Sequence, residues 1–124
     1  MRPPGDAFGG TWEEHLIQDH AAFVHTFKVR DMNPDGKPDV VFAEMQNSQQ
    51  KRVGFFLNLG KGASWKLQVV GRTGSHNIRV ADVAHDGDFD IIGANCDSET
   101  DPHGAPLELW RNLLIDHRSG ERLW

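Results

Sequence analysis

Short stretches of alternating apolar and polar residues recur along the chain. Phe27 and Val29 alternate with Lys28 and Arg30, and Ile78 and Val80 flank Arg79. A period of two predicts half-buried β-strands. The runs Val40-Val41-Phe42-Ala43 and Ile91-Ile92-Gly93-Ala94 are short, unbroken and largely β-branched or aromatic, which predicts buried strands. A third type of run, Val53–Asn58 and Leu107–Asn112, follows each of these. The predicted strands are 25–30, 39–45, 52–58 and 64–70, then 77–82, 89–94 and 107–112. Gln46–Lys51 reads as a polar hairpin loop, and its counterpart, Asp97–Pro106, is longer and rich in turn residues. Thr11–Ile17 is ambiguous by itself, because Glu13, Glu14 and Leu16 also favour a helix.

An internal repeat resolves that ambiguity. Thr11-Trp12 lies over Ser64-Trp65, so that Trp12–Ile17 matches the strand Trp65–Val70 and is expected to be a strand too. His25–Asp31 lies over His76–Asp82, each with a His six residues before an Asp. Asn58 matches Asn112 at the end of the third strand. Asp31 and Asp82 stand 51 positions apart. Four short strands in a repeat of that length is the pattern of a β-propeller blade.

Between the first two strands of each repeat runs an acidic loop. The first is Asp31-Met32-Asn33-Pro34-Asp35-Gly36-Lys37-Pro38-Asp39, and the second is Asp82-Val83-Ala84-His85-Asp86-Gly87-Asp88-Phe89-Asp90. Alternate oxygen-bearing side chains, with a glycine for a sharp turn, suit a hard cation that takes about 6–8 oxygens at about 2.3–2.6 Å. Without a cation, carboxylates so crowded repel one another. An EF-hand is excluded, because its twelfth position needs a glutamate and here holds Phe42 or Gly93. Strands follow where an EF-hand has helices, and a dockerin fails on the same count.

These loops, the hydrophobic strand after each, and phrases such as Arg79-Val80-Ala81-Asp82-Val83 and Gly87-Asp88-Phe89-Asp90-Ile91-Ile92-Gly93-Ala94-Asn95 resemble the FG-GAP/VCBS repeat family over roughly residues 11–113. The resemblance implies β-propeller blades with calcium in the loop after the innermost strand. Carried over, the first site comprises the side chains of Asp31, Asn33, Asp35 and Asp39 with the carbonyl of Lys37. The second comprises Asp82, Asp86 and Asp90 with the carbonyl of Asp88. Ala84 stands where an oxygen ligand is expected, so the second site should bind more weakly. The resemblance also implies an extracellular or periplasmic protein, although Met1–Asp6 carries no apolar signal core.

The expected fold is therefore all-β: two four-stranded propeller blades, about 11–63 and 64–113, after a flexible lead (1–10) and before a tail (114–124). Propellers close with about four to eight blades, and repeat units generally cannot bury their core alone. Homo-oligomerisation, as a trimer or tetramer, is the expected way to complete a ring. A longer propeller cut to two blades is the alternative. Strand 11–17, unmatched at the start of the chain, would complete the second blade of a neighbouring subunit.

Composition adds limits. The 124 residues fit one domain. A net charge of −5 argues against nucleic acid as a partner, and no apolar run is long enough to span a membrane. Cys96, the single cysteine, has no internal partner and reads as a partly buried thiol. His25 and His76 would line a central channel and bind a metal or anion, or, more ordinarily, anchor a turn. The remaining histidines (His15, His20, His85, His103 and His117) show no metal spacing. Trp12, Trp65 and Trp110 suit packing better than sugar stacking. No nucleophile elbow, phosphate-binding loop or dinucleotide fingerprint occurs, so an enzyme is the lesser expectation. The sequence points to a calcium-binding recognition or scaffolding module, lectin-like in the leading case. A fragment or ancillary domain of a secreted polysaccharide-degrading enzyme is the alternative.

Overall fold

Strands form where alternation and apolar runs place them. The structure is a computed structural model that describes residues 11–18, 20–95, 107–113, 115–116 and 121–122. The lead 1–10, Cys96, the long loop Asp97–Pro106, His103, His117 and Trp124 lie outside the described residues. The strands are β1 (Val24–Arg30), β2 (Asp39–Glu44), β3 (Val53–Gly60), β4 (Ser64–Gly71), β5 (Asn77–Ala81), β6 (Asp90–Ala94), β7 (Leu107–Trp110), β8 (Ile115–Asp116) and β9 (Glu121–Arg122). They make a four-stranded sheet in the order β1-β2-β3-β4, a three-stranded sheet β5-β6-β7 and a two-stranded pair β8-β9. Every pairing is antiparallel.

The second sheet has the three strands expected from this chain, and among the described residues no fourth strand completes it. One expectation needs correction. Residues 11–17 form no strand and are exposed for nearly their whole length. A strand exists through the hydrogen bonds of a neighbouring edge, and no described strand of the same chain pairs with this segment.

The core lies between the two larger sheets. Val41, Ala43, Val53, Phe55 and Leu57 project from one face of the first sheet, and Met32 joins them from the loop after β1. Ile78 and Ile91 meet them from the second sheet, with Val80, Phe89 and Trp110 packed against the cluster. The alternation in β1 is as predicted, but its sense in the fold is not. Thr26 is buried, whereas Phe27 and Val29 lie on the open face of the first sheet.

Trp110 fits between the sheets because two glycines make room for it. A Cβ on Gly71 would meet Trp110 Cε2 at 2.8 Å, and one on Gly93 would meet Trp110 Cζ3 at 2.8 Å and Ser75 Oγ at 2.6 Å. This agrees with the packing role expected of Trp110. Gly93→Ala should therefore lower the unfolding free energy by about 1–3 kcal/mol, as overpacking does. Urea unfolding checks this, with Ala94→Ser on the same strand as a near-neutral control.

Candidate metal centre

The two acidic loops join β1 to β2 and β5 to β6. Each turns at a glycine in the left-handed region, Gly36 at φ 84° and Gly87 at φ 89°. Only glycine adopts that backbone without a Cβ penalty.

Most hydrogen bonds of one loop recur in the other. Asp31 accepts from Asp35 N at 3.3 Å and Gly36 N at 2.8 Å. Asp82 accepts from Asp86 N at 3.0 Å and Gly87 N at 2.9 Å. Lys37 N donates to Asp35 Oδ1 at 2.9 Å, and Asp88 N donates to Asp86 Oδ1 at 3.1 Å. The last Asp of each loop fastens it to the sheet. Asp39 accepts from Met32 N and Asn58 N, both at 2.8 Å. Asp90 accepts from Val83 N at 3.0 Å, Ala84 N at 3.1 Å and Asn112 N at 2.7 Å. Asp39 and Asp90 are both fully buried.

The charges of the loops follow from these contacts. Burial pushes the Asp39 carboxyl up, against the pull of the Asn58 and Met32 amides, and Asp35 and Asp31 add to the push. Its negative charge is thus unfavourable where it stands, and a cation would relieve it. Asp35 is held below the usual carboxylate range, first by the Lys37 amide. Burial pushes Asp86 up, but the Asp88 amide and Arg111 outweigh it and hold that carboxyl low. Arg111 Nη2 lies 3.3 Å from Asp86 Oδ2.

The structure brings Asp82, Asp86 and Asp90 together, with one oxygen from each inside a mutual span of 4.8 Å. Oxygens that share an ion at about 2.3–2.6 Å cannot be more than about 5 Å apart, so this set fits a hard cation in both donor type and spacing. Among the described residues, loop one shows no equally close set of three carboxylates. There the Asn33 amide, turned to donate, reaches Asp35 Oδ1 and Asp39 Oδ2, each at 3.3 Å. The opposite rotamer of that amide presents its oxygen to the same place. Loop one therefore has the extra ligand and loop two the closer carboxylates.

The remaining candidates have clear places. His25 and His76 stack on each other, with ring centroids 4.3 Å apart and planes at 29°. Imidazole lone pairs lie in the ring plane, so near-parallel rings do not aim them at one ion. Trp65 Nε1 donates to Gly62 O at 3.0 Å within its own hairpin, and Trp12 is largely exposed. Asn58 is the turn residue expected, with Oδ1 accepting from Gly60 N at 3.0 Å. Asn112 does more. Its Nδ2 donates to Met32 O at 3.1 Å, tying the second sheet to loop one.

Sequence reasoning missed a buried ion pair beside the loops' sheet. Arg52 Nε lies 2.9 Å from Glu44 Oε1, and both side chains are buried. Arg52 Nη2 also reaches His20 O at 2.9 Å, and Ala22 N donates to Glu44 Oε2 at 3.1 Å. The available signal was the placement of opposite charges at the two ends of one polar hairpin.

The sequence profile of the FG-GAP-like repeat family matches residues 31–93, from the first Asp of loop one through the strand after loop two. No curated protein and no solved structure gives a significant match.

Proposed function

Since the chain belongs to the FG-GAP-like repeat family, we propose that it is a β-propeller-type module whose two aspartate loops bind calcium and hold a recognition or scaffolding surface rigid. The observation that carries this reading is the convergence of Asp82, Asp86 and Asp90 within 4.8 Å, in a loop most of whose hydrogen bonds recur in loop one. Calcium would neutralise the crowded carboxylates and cross-link each loop across its turn. Its ligands would be Asp31, Asn33, Asp35, Asp39 and the Lys37 carbonyl in one site. Asp82, Asp86, Asp90 and the Asp88 carbonyl would form the other. This role is structural, and carbohydrate is the first ligand class to test, outside the cell.

An ion that binds the folded loop and not the open chain stabilises by about 2.7 kcal/mol at a hundred times its dissociation constant. The expected result is a thermal midpoint about 10 °C higher in saturating calcium than in EGTA, with magnesium far less effective. A midpoint indifferent to calcium would refute the metal reading. A glycan array run beside a glycosidase and lyase panel tests the ligand class.

A further inference from the structure

The chain contains one complete interface between sheets and the two separate halves of another. The ladders define equivalent positions: Val41 faces Phe55 as Ile92 faces Leu109, and Ala43 faces Val53 as Ala94 faces Leu107. On the first sheet these positions form the core, with Val53 at 0% and Phe55 at 2% exposure. On the second sheet the same positions are bare, with Leu107 at 76% and Leu109 at 50%. The opposite faces show the same contrast. Phe27 and Val29 pair with Phe42 and Val40 as Ile78 and Val80 pair with Gly93 and Ile91. Ile78 is 1% exposed, whereas Phe27 is 62% and Val29 47% exposed.

The strand edges divide in the same way. The four-stranded sheet is closed off by β4, and in the three-stranded sheet no described strand pairs with the outer edge of β7. Residues 11–17 match β4 in sequence and belong to no described sheet. They also hold the place of β4 relative to the next sheet. Val70 lines an apolar cleft with Ile91 and Trp110. Ile17, its repeat equivalent, lines one with Val40, Phe42 and Phe56.

We propose that residues 11–17 of one copy of this chain add to β7 of a second copy as its fourth strand, while the Phe27/Val29 face packs on the Leu107/Leu109 face of that copy. The partner is a second copy because each bare surface is the repeat equivalent of a surface already buried within the chain. The contact is head-to-tail, so it propagates and closes into a ring when the rotation permits. The proposal rests on sheet edges and faces and not on the calcium reading. In the β3–β4 ladder, Phe55 faces Gln68 and Leu57 faces Lys66. Carried to the repeat equivalents, His15 faces Leu109 and Glu13 faces Arg111, and the second pair sets opposite charges across the ladder. Strand addition of this kind draws affinity from main-chain hydrogen bonds and specificity from alternate side chains.

Light scattering after size exclusion, on the full chain in calcium, is the test. The expected particle is three or four times the 13.9 kDa chain. Leu16→Pro, in an exposed segment outside every sheet, should raise the dissociation constant by about a hundredfold or more while leaving circular dichroism unchanged. In a Cys96→Ser background, His15→Cys with Leu109→Cys should give an inter-chain disulfide ladder, which neither single substitution gives. A folded monomer across a hundredfold concentration series overturns the proposal. An intra-chain disulfide, or an oligomer indifferent to Leu16→Pro, overturns it as well.

Discussion

Asp39→Ala lowers the unfolding free energy by about 3–5 kcal/mol, measured by urea unfolding in EDTA so that no ion contributes. The Asp39 carboxylate accepts from Met32 N and Asn58 N at 2.8 Å, and Met32 and Asn58 are both buried. Alanine leaves two donors that water cannot reach, and each orphaned group costs about 1–3 kcal/mol. Asp39→Asn should cost less, since one oxygen remains to accept. Asp35→Ala should cost about 1 kcal/mol under the same conditions, because its acceptor role is a turn bond from Lys37 N at the loop surface. If Asp39→Ala and Asp35→Ala were equally mild in EDTA, the view of Asp39 as the fastening of loop to sheet would be wrong.

The second large effect is at Glu44. Glu44→Ala leaves the Arg52 guanidinium, 7% exposed, without its carboxylate, and breaking a buried pair from one side costs about 3–5 kcal/mol. It also releases the chain near His20 and Ala22, so limited proteolysis should cut ahead of β1 in the variant first. The pair has a pH signature. Burial pushes Glu44 up, but hydrogen bonds from the Arg52 side chain and from the Arg52 and Ala22 amides outweigh it, holding Glu44 below its ordinary 4.5. A folded-state value lower than the unfolded one means that the stabilisation is complete above about 4.5 and is lost as pH falls through the folded value. Glu44→Gln should therefore flatten the acid side of the stability curve below that pH. A Glu44→Gln profile parallel to the parent's would contradict this.

Much of the fold was legible because each signal was local. Alternation at Phe27–Arg30 and the apolar runs at Val40 and Ile91 placed six of the strand boundaries within two residues, and the β-rich run Trp65–Val70 placed β4. The loops were legible because Asp, Asn and Gly at fixed offsets have few other uses. What pattern reading could not supply was partnership. Trp12–Ile17 has the sequence of a strand, but a strand is made by its neighbour's edge. Phe27 and Val29 read as a core face by alternation, but which face of a sheet is covered depends on what packs against it. The Asn112 bond to Met32 O joins residues whose proximity only the finished sheets create. The second loop, poorer in ligands by sequence because of Ala84, is the one whose three carboxylates lie closest. Ligand count is written in the chain, and spacing is set by the fold.

The calcium reading stands or falls on calorimetric titration of calcium into the apo chain, beside Asp31→Asn/Asp35→Asn and Asp82→Asn/Asp86→Asn. The expected result is two ions per chain, one lost in each double variant, with the loop-one site tighter because Asn33 supplies the oxygen that Ala84 lacks. No saturable heat, or the same two ions bound after either pair of substitutions, would contradict it.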